Sequence, residues 1–513
     1  MFKKFSGIFL CLLLVSSAVH AADRFDFVTL TERARVLAAQ PYQAPDPVPR
    51  FLQELSYEQY QDIRFDPDKS LWRQHSSPFK VMLVAPGLFY RHAARINLID
   101  SEGIHNLPFR KELFTFTNPD LERRIPPDLG YAGFKLTYPL KEKKTQNQFM
   151  VFAGASYFRA VGRDNAWGIS SRGLALDTGL PSGEEFPAFI EYWLVQPAGD
   201  AQEMMVYALL DGPSVSGAYQ FNIHPGTRTL VKVRAVLFPR HPLRLPGIAP
   251  LTSMFYYGEN TAKPVGQWRA QVHDSDGLLI QNANGEWLWR PLINPTTLEM
   301  DYFISHDVKG FGLLQRDSLF TDYQDLAANY DKRPSTWVRP EGNWGPGKVV
   351  LVQLPTDKET NDNIVAFWTP DKALVPQQAY EIRYDLMFGG PDIANQSIGH
   401  CTNTFVGDGN IIGGGQIPGA YRIIVDFTGA ELAKLPASAI VQGVVTGLNQ
   451  TEVLEQFVEY NPAMHNWRLS ILARTPEDQG LELRAFLKSG AQTLSETWSY
   501  RLPPDNGILK RVH

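Results

Sequence analysis

The stretch Phe189-Ile190-Glu191-Tyr192-Trp193-Leu194-Val195 is rich in aromatic and β-branched residues, which is typical of a strand. Three similar stretches follow at short intervals, at 204–210, 219–223 and 229–237. Turn residues separate them, as in Asp211-Gly212-Pro213 and Pro225-Gly226. Closely spaced strands of this kind form antiparallel sheets that pack as a sandwich. The sequence therefore predicts an all-β fold for this part of the chain.

Strand patterns continue on both sides of this stretch. We predict further strands at 80–85, 134–138, 147–153, 299–304, 349–354, 364–368 and 380–387. A helix is predicted at 23–40, with Thr29 and Glu32 at capping-box spacing, and a second short one begins at Ser56 with Gln59 at the same spacing. A third short helix is predicted at 322–329.

A domain boundary is predicted at 391–418, which is rich in Gly and Asn and has no sustained periodicity. Six strands are predicted beyond it, at 421–427, 439–445, 454–460, 466–473, 481–487 and 497–502. A unit of roughly a hundred residues with such strands has the size of an immunoglobulin-like domain. The predicted organisation is a signal peptide at 1–22, a large β-sandwich domain at 23–390, a linker at 391–400 and a small immunoglobulin-like β-sandwich at 401–513.

Composition narrows the class of protein. The chain has 513 residues, enough for two or more domains with their own cores. Hydrophobic residues make up 44% and charged residues 20%, a balance that argues against a disordered chain. The formal net charge of -5 argues against nucleic acid as a partner.

The N-terminus is typical of a secretory signal. Lys3 and Lys4 precede an apolar stretch at 8–19, and the small residues Ala21 and Ala22 follow where a signal peptidase cleaves. There is no twin arginine, which favours export of the unfolded chain, and removal of the two lysines gives a mature charge of -5 - 2 = -7. Cys401 is then the single cysteine, so no internal disulfide can form. We expect a soluble periplasmic protein.

Acidic and aromatic residues are interleaved in the region 271–371. Counting from Trp268, six of the 11 tryptophans lie there, beside His273-Asp274-Ser275-Asp276-Gly277 and Glu359-Thr360-Asn361-Asp362-Asn363. Aromatic faces stack on the apolar faces of sugar rings, and carboxylates are the usual acids and bases of glycoside cleavage. These residues point to carbohydrate chemistry. The alternative, that the tryptophans are core residues of a β-rich protein, stays open.

Other chemistries find little support in the motifs. The sequence has no Gly-x-Ser-x-Gly elbow, no His-Glu-x-x-His and no paired-cysteine motif. The stretch 342–348 has the glycine and lysine spacing of a phosphate loop, but Val349 stands where Ser or Thr would bind magnesium. For 273–277 a plain turn or a calcium loop is an alternative, and for 359–363 a solvated turn is. We expect no metal and no cofactor.

Several motifs resemble the periplasmic glucan biosynthesis protein G/D family (OpgG/MdoG). They are Phe25-Asp26-Phe27, Val84-Ala85-Pro86-Gly87, Gly168-Ile169-Ser170-Ser171-Arg172-Gly173, His273-Asp274-Ser275-Asp276-Gly277, Arg339-Pro340-Glu341-Gly342-Asn343-Trp344-Gly345 and Tyr421-Arg422. The resemblance covers essentially the whole chain. The signal without a twin arginine is similar to that of the G branch.

The resemblance implies a large galactose-mutarotase-like β-sandwich joined to a smaller immunoglobulin-like domain. It also implies a role in making osmoregulated periplasmic glucans, as an inverting endo-β-1,2-glucanase acting on the β-1,2-glucan backbone. By position, Asp362 matches the general acid, Asp274 the general base acting through a relay of waters, and Tyr330 a residue lining that relay. Asp276 lies two residues from Asp274 and is an alternative base.

Further residues are candidates for binding the glucan. Four tryptophans are expected to stack on glucose: Trp287, Trp289, Trp337 and Trp344. Arg172 and Arg333 are expected to hydrogen-bond sugar hydroxyls, and Glu359 is expected to lie beside Asp362 and help it keep a proton. Two rival functions remain open. One is a non-catalytic protein that binds and escorts glucan to a membrane glucosyltransferase, and the other is transglycosylation with sugar as the acceptor.

Overall fold

The structure is a computed structural model that describes residues 25–410, 415–476 and 478–508. The predicted signal peptide at 1–22 lies outside the described residues. Strands account for 47% of the residues and helices for 9%, which confirms the all-β prediction. In the part of the chain that is described, no helix is long and apolar enough to cross a membrane.

The helices are short and lie mainly near the N-terminus. The α-helices are α1 Phe27–Ala38, α2 Arg50–Gln53, α3 Tyr57–Gln61, α4 Pro119–Arg124 and α5 Phe320–Tyr323. Single turns of 3₁₀-helix span Pro67–Lys69, Lys111–Leu113, Tyr330–Lys332 and Leu432–Lys434.

The strands follow one another at short intervals. In chain order, β1 to β14 are Ile63–Phe65, Lys80–Val84, Arg95–Asp100, Gly103–Asn106, Phe114–Phe116, Gly133–Tyr138, Asn147–Ala153, Tyr157–Ala160, Ser170–Arg172, Leu174–Leu176, Ala188–Val195, Met204–Asp211, Val215–His224 and Thr229–Pro239. Next, β15 to β25 are Pro246–Ser253, Phe255–Tyr257, Val272–His273, Gly277–Asn282, Trp287–Pro291, Glu299–Ser305, Val308–Leu314, Ser335–Pro340, Gly347–Gln353, Ile364–Pro370 and Tyr380–Gly389. Finally, β26 to β33 are His400–Asn410, Gln416–Thr428, Gln442–Leu448, Glu452–Asn461, Asn466–Arg474, Leu481–Ser489, Gln492–Thr493 and Thr497–Leu502.

Three sheets form the body of the protein. A 10-stranded sheet has the order β2-β6-β7-β8-β9-β15-β24-β23-β20, with β10 paired to β15. A 15-stranded sheet has the order β28-β31-β33-β19-β18-β21-β22-β25-β14-β13-β12-β11-β3-β4, with β32 paired to β31. A four-stranded sheet has the order β26-β27-β30-β29. Pairing is antiparallel except for the parallel pairs β3–β11 and β19–β33 among these strands.

The main hydrophobic core lies between the 10-stranded and 15-stranded sheets. Phe152 of β7 meets Phe221 of β13 edge to face, with 5.2 Å between ring centroids, and Phe134 of β6 meets Tyr192 of β11 at 5.1 Å. All four rings are almost fully buried. The two large sheets therefore pack face against face, as the closely spaced strands of 189–237 predict.

A second core lies between the 15-stranded sheet and the four-stranded sheet. The 15-stranded sheet contributes to both cores because side chains alternate between its two faces. On β19, Leu288 faces the main core, while Trp287 and Trp289 face the second one. Trp337 of β22 faces the second core as well and stacks on Trp287, with 5.8 Å between ring centroids. Phe427 of the four-stranded sheet belongs to the same core.

The 15-stranded sheet continues across the predicted linker at 391–400. Strand β33 runs parallel to β19, with Leu288 opposite Thr497 and Trp289 opposite Trp498. The C-terminal strands β28, β31 and β33 are thereby hydrogen-bonded into the sheet that carries β11 to β14. The division into domains stays a prediction.

Three local predictions need correction. The helix predicted at 23–40 begins at Phe27, because the side chain of Asp26 caps it by accepting from the Thr29 amide, so the Thr29–Glu32 box is wrong. The stretch 391–418, in which no strand was predicted, contains β26, whose register shifts between Cys401 and Asn403 break the alternation. Within 322–329 the structure has only the last residues of α5.

Candidate functional site

The two acidic stretches that were predicted to carry the chemistry are both hydrogen-bonded to the backbone around Phe255. Phe255 of β16 pairs with His273 of β17, and the next residue, Asp274, donates its backbone N–H to the carbonyl of Met254 at 2.8 Å. From the other side, buried Asn363 accepts from the Phe255 amide at 2.8 Å and donates to the Phe255 carbonyl at 3.0 Å. Asp362 precedes Asn363, so a common backbone support positions both aspartates.

A buried hydrogen-bond network fixes the neighbours of Asp274. The ring of His273 stacks on Phe255 with 5.3 Å between centroids, and its Nδ1 lies 2.8 Å from Oε1 of Gln315. Burial lowers the pKa of His273 to about 4, so its ring is neutral. The amide of Gln315 donates to the carbonyl of His273 at 2.9 Å and to that of Tyr330 at 3.2 Å. One side chain therefore joins the turn of Tyr330 to the strand before Asp274.

Asp274 is a buried carboxyl group in contact with the guanidinium of Arg333. Its side chain forms an ion pair with Arg333. Burial raises the pKa of Asp274 to about 6, the cation of Arg333 works in the opposite direction, and the negative charge of Asp362 adds to the increase. The two aspartates are therefore close enough for their charges to interact.

Asp362 is the more accessible of the two aspartates. Its side chain is 32% exposed, and Oδ2 accepts from Arg159 of β8 at 3.2 Å. Arg159 also donates to the carbonyl of Gly168 at 2.6 Å, which fixes the guanidinium. A Cβ on Gly168 would lie 3.0 Å from the side chain of Arg333, so the glycine permits a close approach of the second arginine.

Tyr330 and Glu359 belong to a network next to Asp274. Tyr330 is buried, and its hydroxyl donates to Glu359 at 3.3 Å, while the guanidinium of Arg333 lies 4.2 Å from the centre of its ring. Glu359 forms an ion pair with Arg269 at 2.6 Å. The charged group in contact with Asp362 is Arg159, and the expected influence of Glu359 on Asp362 stays a prediction.

Asp276 lies in different surroundings from Asp274. Its carboxylate accepts from the backbone N–H groups of Arg316 and Asp317 at 2.9–3.0 Å. Burial raises its pKa to about 6, and hydrogen bonds from these two amides oppose the increase. For Asp274, the charge of Asp362 is among the causes that raise the pKa.

Three of the four tryptophans predicted to stack on glucose have no accessible face. Trp287, Trp289 and Trp337 are 7%, 3% and 3% exposed and lie in the second core, so their placement fits the core alternative and not sugar binding. Trp344 is half-buried, packs 5.1 Å from the ring of Trp368 and donates to a backbone carbonyl.

The two predicted hydroxyl-binding arginines are engaged with protein groups. Arg172 is buried, pairs with Glu184 and donates to Thr252 at 3.1 Å. Arg333 holds Asp274 as described above. Their contacts make them part of the walls and support of the site in the free protein, and direct contact with sugar hydroxyls stays a prediction.

Arg159, Arg269, Gln315 and Asn363 were not predicted from the sequence. Each acts through a partner from another strand or loop, and no local pattern marks such a pair. Asn363 alone had a signal, since it ends the quoted stretch 359–363 and precedes an apolar strand.

The arrangement is suited to acid–base chemistry with two unlike carboxyl groups. One is buried next to a cation and has a raised pKa, and the other is accessible from outside. Within residues 25–410, 415–476 and 478–508, no three His, Cys, Asp or Glu side chains are grouped so as to hold a metal ion.

Comparison with known proteins identifies the family to which the chain belongs. The family model described as periplasmic glucan biosynthesis protein, MdoG, matches residues 25–502. The chain therefore belongs to this family, as its motifs indicated. One similar protein is glucans biosynthesis protein G of Ralstonia nicotianae (strain ATCC BAA-1114 / GMI1000). It is 42% identical over 500 residues, which cover 96% of this chain and 99% of that protein.

Proposed function

We propose that this protein acts in the biosynthesis of osmoregulated periplasmic glucans, as an inverting endo-β-1,2-glucanase that cleaves their β-1,2-linked glucose backbone. The family membership supports the role in glucan synthesis and a periplasmic location, reached through the predicted signal peptide at 1–22. The single observation that carries the catalytic part is the shared backbone support that holds Asp274 and the loop of Asp362. Two acidic residues from separate loops interact through their charges and stand on one shared support.

The proposed reaction assigns one role to each aspartate. Asp362 protonates the oxygen of the leaving sugar while a water molecule attacks the anomeric carbon from the opposite face, and the glycosidic C–O bond breaks. The proton lost by that water passes through a relay of waters to Asp274. Its raised pKa suits a base that must take up a proton near neutral pH. The product then has the inverted anomeric configuration.

The surrounding residues have supporting roles in this mechanism. Tyr330 lines the water relay, and its hydroxyl is held by Glu359. Arg333 keeps a positive charge beside Asp274, which favours the basic form. Arg159 holds Asp362 in the free protein, so the entering glucan must loosen this ion pair before Asp362 acts as an acid.

A non-catalytic role is the alternative, and the Arg159–Asp362 ion pair favours it. A carboxylate fixed by an arginine is suited to binding sugar hydroxyls as well as to catalysis. In that case the protein would bind nascent β-1,2-glucan and work with a membrane glucosyltransferase. We also propose, on the family resemblance, that the large part is galactose-mutarotase-like and the C-terminal part immunoglobulin-like. The division is signal peptide 1–22, large domain 23–390, linker 391–400 and small domain 401–513.

The deciding experiment is incubation of the mature protein with linear β-1,2-glucan, with product length and anomeric configuration followed over time. Asp362→Asn is expected to abolish cleavage and retain binding, because it preserves shape and removes the acid. Asp371→Asn is the matched control, since Asp371 is half-exposed and pairs with Lys348. Intact glucan in a wild-type sample that still binds it would favour the escort role. Products with retained configuration, or longer than the substrate, would favour transglycosylation.

A further inference from the structure

Two aromatic residues that contact arginines near the candidate site are largely exposed. The side chain of Trp268 is 65% exposed and that of Phe186 is 50% exposed. Large apolar rings in water stand out against the buried tryptophans of the second core. Sugar rings stack on exposed aromatic faces. Trp268 and Phe186 are therefore better candidates for stacking on glucose than the buried tryptophans.

Trp268 is joined to the site through the next residue. The guanidinium of Arg269 lies 5.8 Å from the centre of the Trp268 ring. Arg269 is fixed by ion pairs with Asp325 at 3.1 Å and Glu359 at 2.6 Å, and Glu359 holds the hydroxyl of Tyr330. Nε of Arg269 is buried and has no hydrogen-bond partner. The backbone that carries Trp268 is therefore connected, through Arg269 and Glu359, to Tyr330 near Asp274.

Phe186 is joined to the other side of the site. The guanidinium of buried Arg172 lies 5.4 Å from the centre of the Phe186 ring and 4.9 Å from that of Tyr157. Tyr157 pairs in register with Arg172. It lies two residues before Arg159 on β8, so both side chains lie on one face of the strand, and Arg159 binds Asp362. Phe186 is thus connected through two stacked contacts to the surroundings of Asp362.

These contacts connect one exposed aromatic ring to the surroundings of each aspartate. We propose that Trp268 and Phe186 are sugar-binding platforms at the two ends of the site, so that the protein selects a glucan chain long enough to reach both. The inference rests on the proposed function, since glucan is taken as the ligand. It adds a preference for chain length and assigns the residues that set it. An internal segment of a long chain would bind best, and short oligosaccharides would reach only one platform.

The test measures binding without turnover, in the Asp362→Asn protein, by calorimetry with linear β-1,2-glucans of graded length. Trp268→Ala and Phe186→Ala are each expected to weaken the Kd for long chains about tenfold, the amount expected for loss of one stacked ring. Trp268→Phe should recover most of that loss. Phe457→Ala is the matched control, since Phe457 is 40% exposed on β29 in the C-terminal part.

The chain-length dependence separates this inference from a general loss of structure. Short oligosaccharides should be affected by at most one of the two substitutions, and the melting temperature should not change because both rings are exposed. If neither substitution alters the Kd at any chain length, the inference is overturned. If wild-type protein cleaves nothing but both substitutions weaken binding, the platforms stand and the enzymatic proposal fails. If cleavage proceeds without dependence on either ring, the enzymatic proposal stands alone.

Discussion

The substitution Arg333→Met tests whether Asp274 is the base. Arg333 is the cation paired with Asp274, and it opposes the increase in pKa that burial causes. Its removal raises the pKa of Asp274 further, so the carboxylate takes up a proton at a higher pH. The acid limb of the pH–activity profile, which falls as the base becomes protonated, should therefore move to higher pH.

The size of the shift follows from the position of the pair. An opposite charge at contact distance lowers the pKa of a carboxyl group by about 1 to 3. Loss of Arg333 then moves the pKa of Asp274 from about 6 to between about 7 and 9. At pH 7 the ionised fraction falls from about nine-tenths to between about one-half and one-hundredth. The expected loss of kcat/KM at pH 7 is about twofold to about a hundredfold, with recovery in alkaline buffer.

The assay is the release of reducing ends from linear β-1,2-glucan, measured as kcat/KM across the pH range. Arg333→Lys keeps the charge and should shift the acid limb less than Arg333→Met. Arg339→Met is the matched control, because Arg339 lies on the strand that follows and pairs with Asp385 away from the site. An acid limb that stays in place or moves to lower pH in Arg333→Met would refute the assignment of Asp274.

Three further predictions concern the hydrogen bonds of Asn363, the burial of Trp337 and the dependence of activity on metal ions. Asn363→Ala removes hydrogen bonds to the backbone of Phe255 and Leu354 and should cost about 1–3 kcal/mol of unfolding free energy in a urea titration, together with a fall in kcat. Exposed Asn361→Ala is its control, and equal effects would contradict the role of Asn363. Trp337→Ala should cost about 3–5 kcal/mol and leave the Kd for glucan unchanged at temperatures where the variant is folded. Lost affinity with unchanged stability would instead make Trp337 a sugar contact. Turnover should survive EDTA, because the sequence carries no metal-binding motif, and loss of activity restored by a divalent ion would overturn that.

Local patterns predicted those elements whose signal lies within the element itself. The strand at 147–153 has the predicted bounds because its signal, a run of large apolar residues at 149–152, lies within the strand itself. The capping box of Ser56 and Gln59 is present for a similar reason, since both partners lie within one turn. The strand β26 was missed because its bulges break the alternation on which such a prediction depends.

The candidate site shows where sequence patterns stop being informative. The carboxylates could be selected by type and by resemblance, but the pairing of Asp362 with Arg159 depends on two strands distant in sequence. The tryptophans illustrate the same limit. Nothing within 287–289 indicates that a second sheet covers Trp287 and Trp289, so burial and sugar binding were equally compatible with the pattern.

The parallel pairing of β19 with β33 has a consequence for the order in which the protein can fold. The partner of β19 is one of the last strands to be synthesised, so the sheet edge at Leu288 stays unpaired until residues 497–502 have arrived. Until then the indole rings of Trp287 and Trp289 lack much of their cover. A chain that crosses a membrane from its N-terminus would pass through this partly folded state, which has an unpaired sheet edge and exposed indole rings. Such states are prone to aggregation.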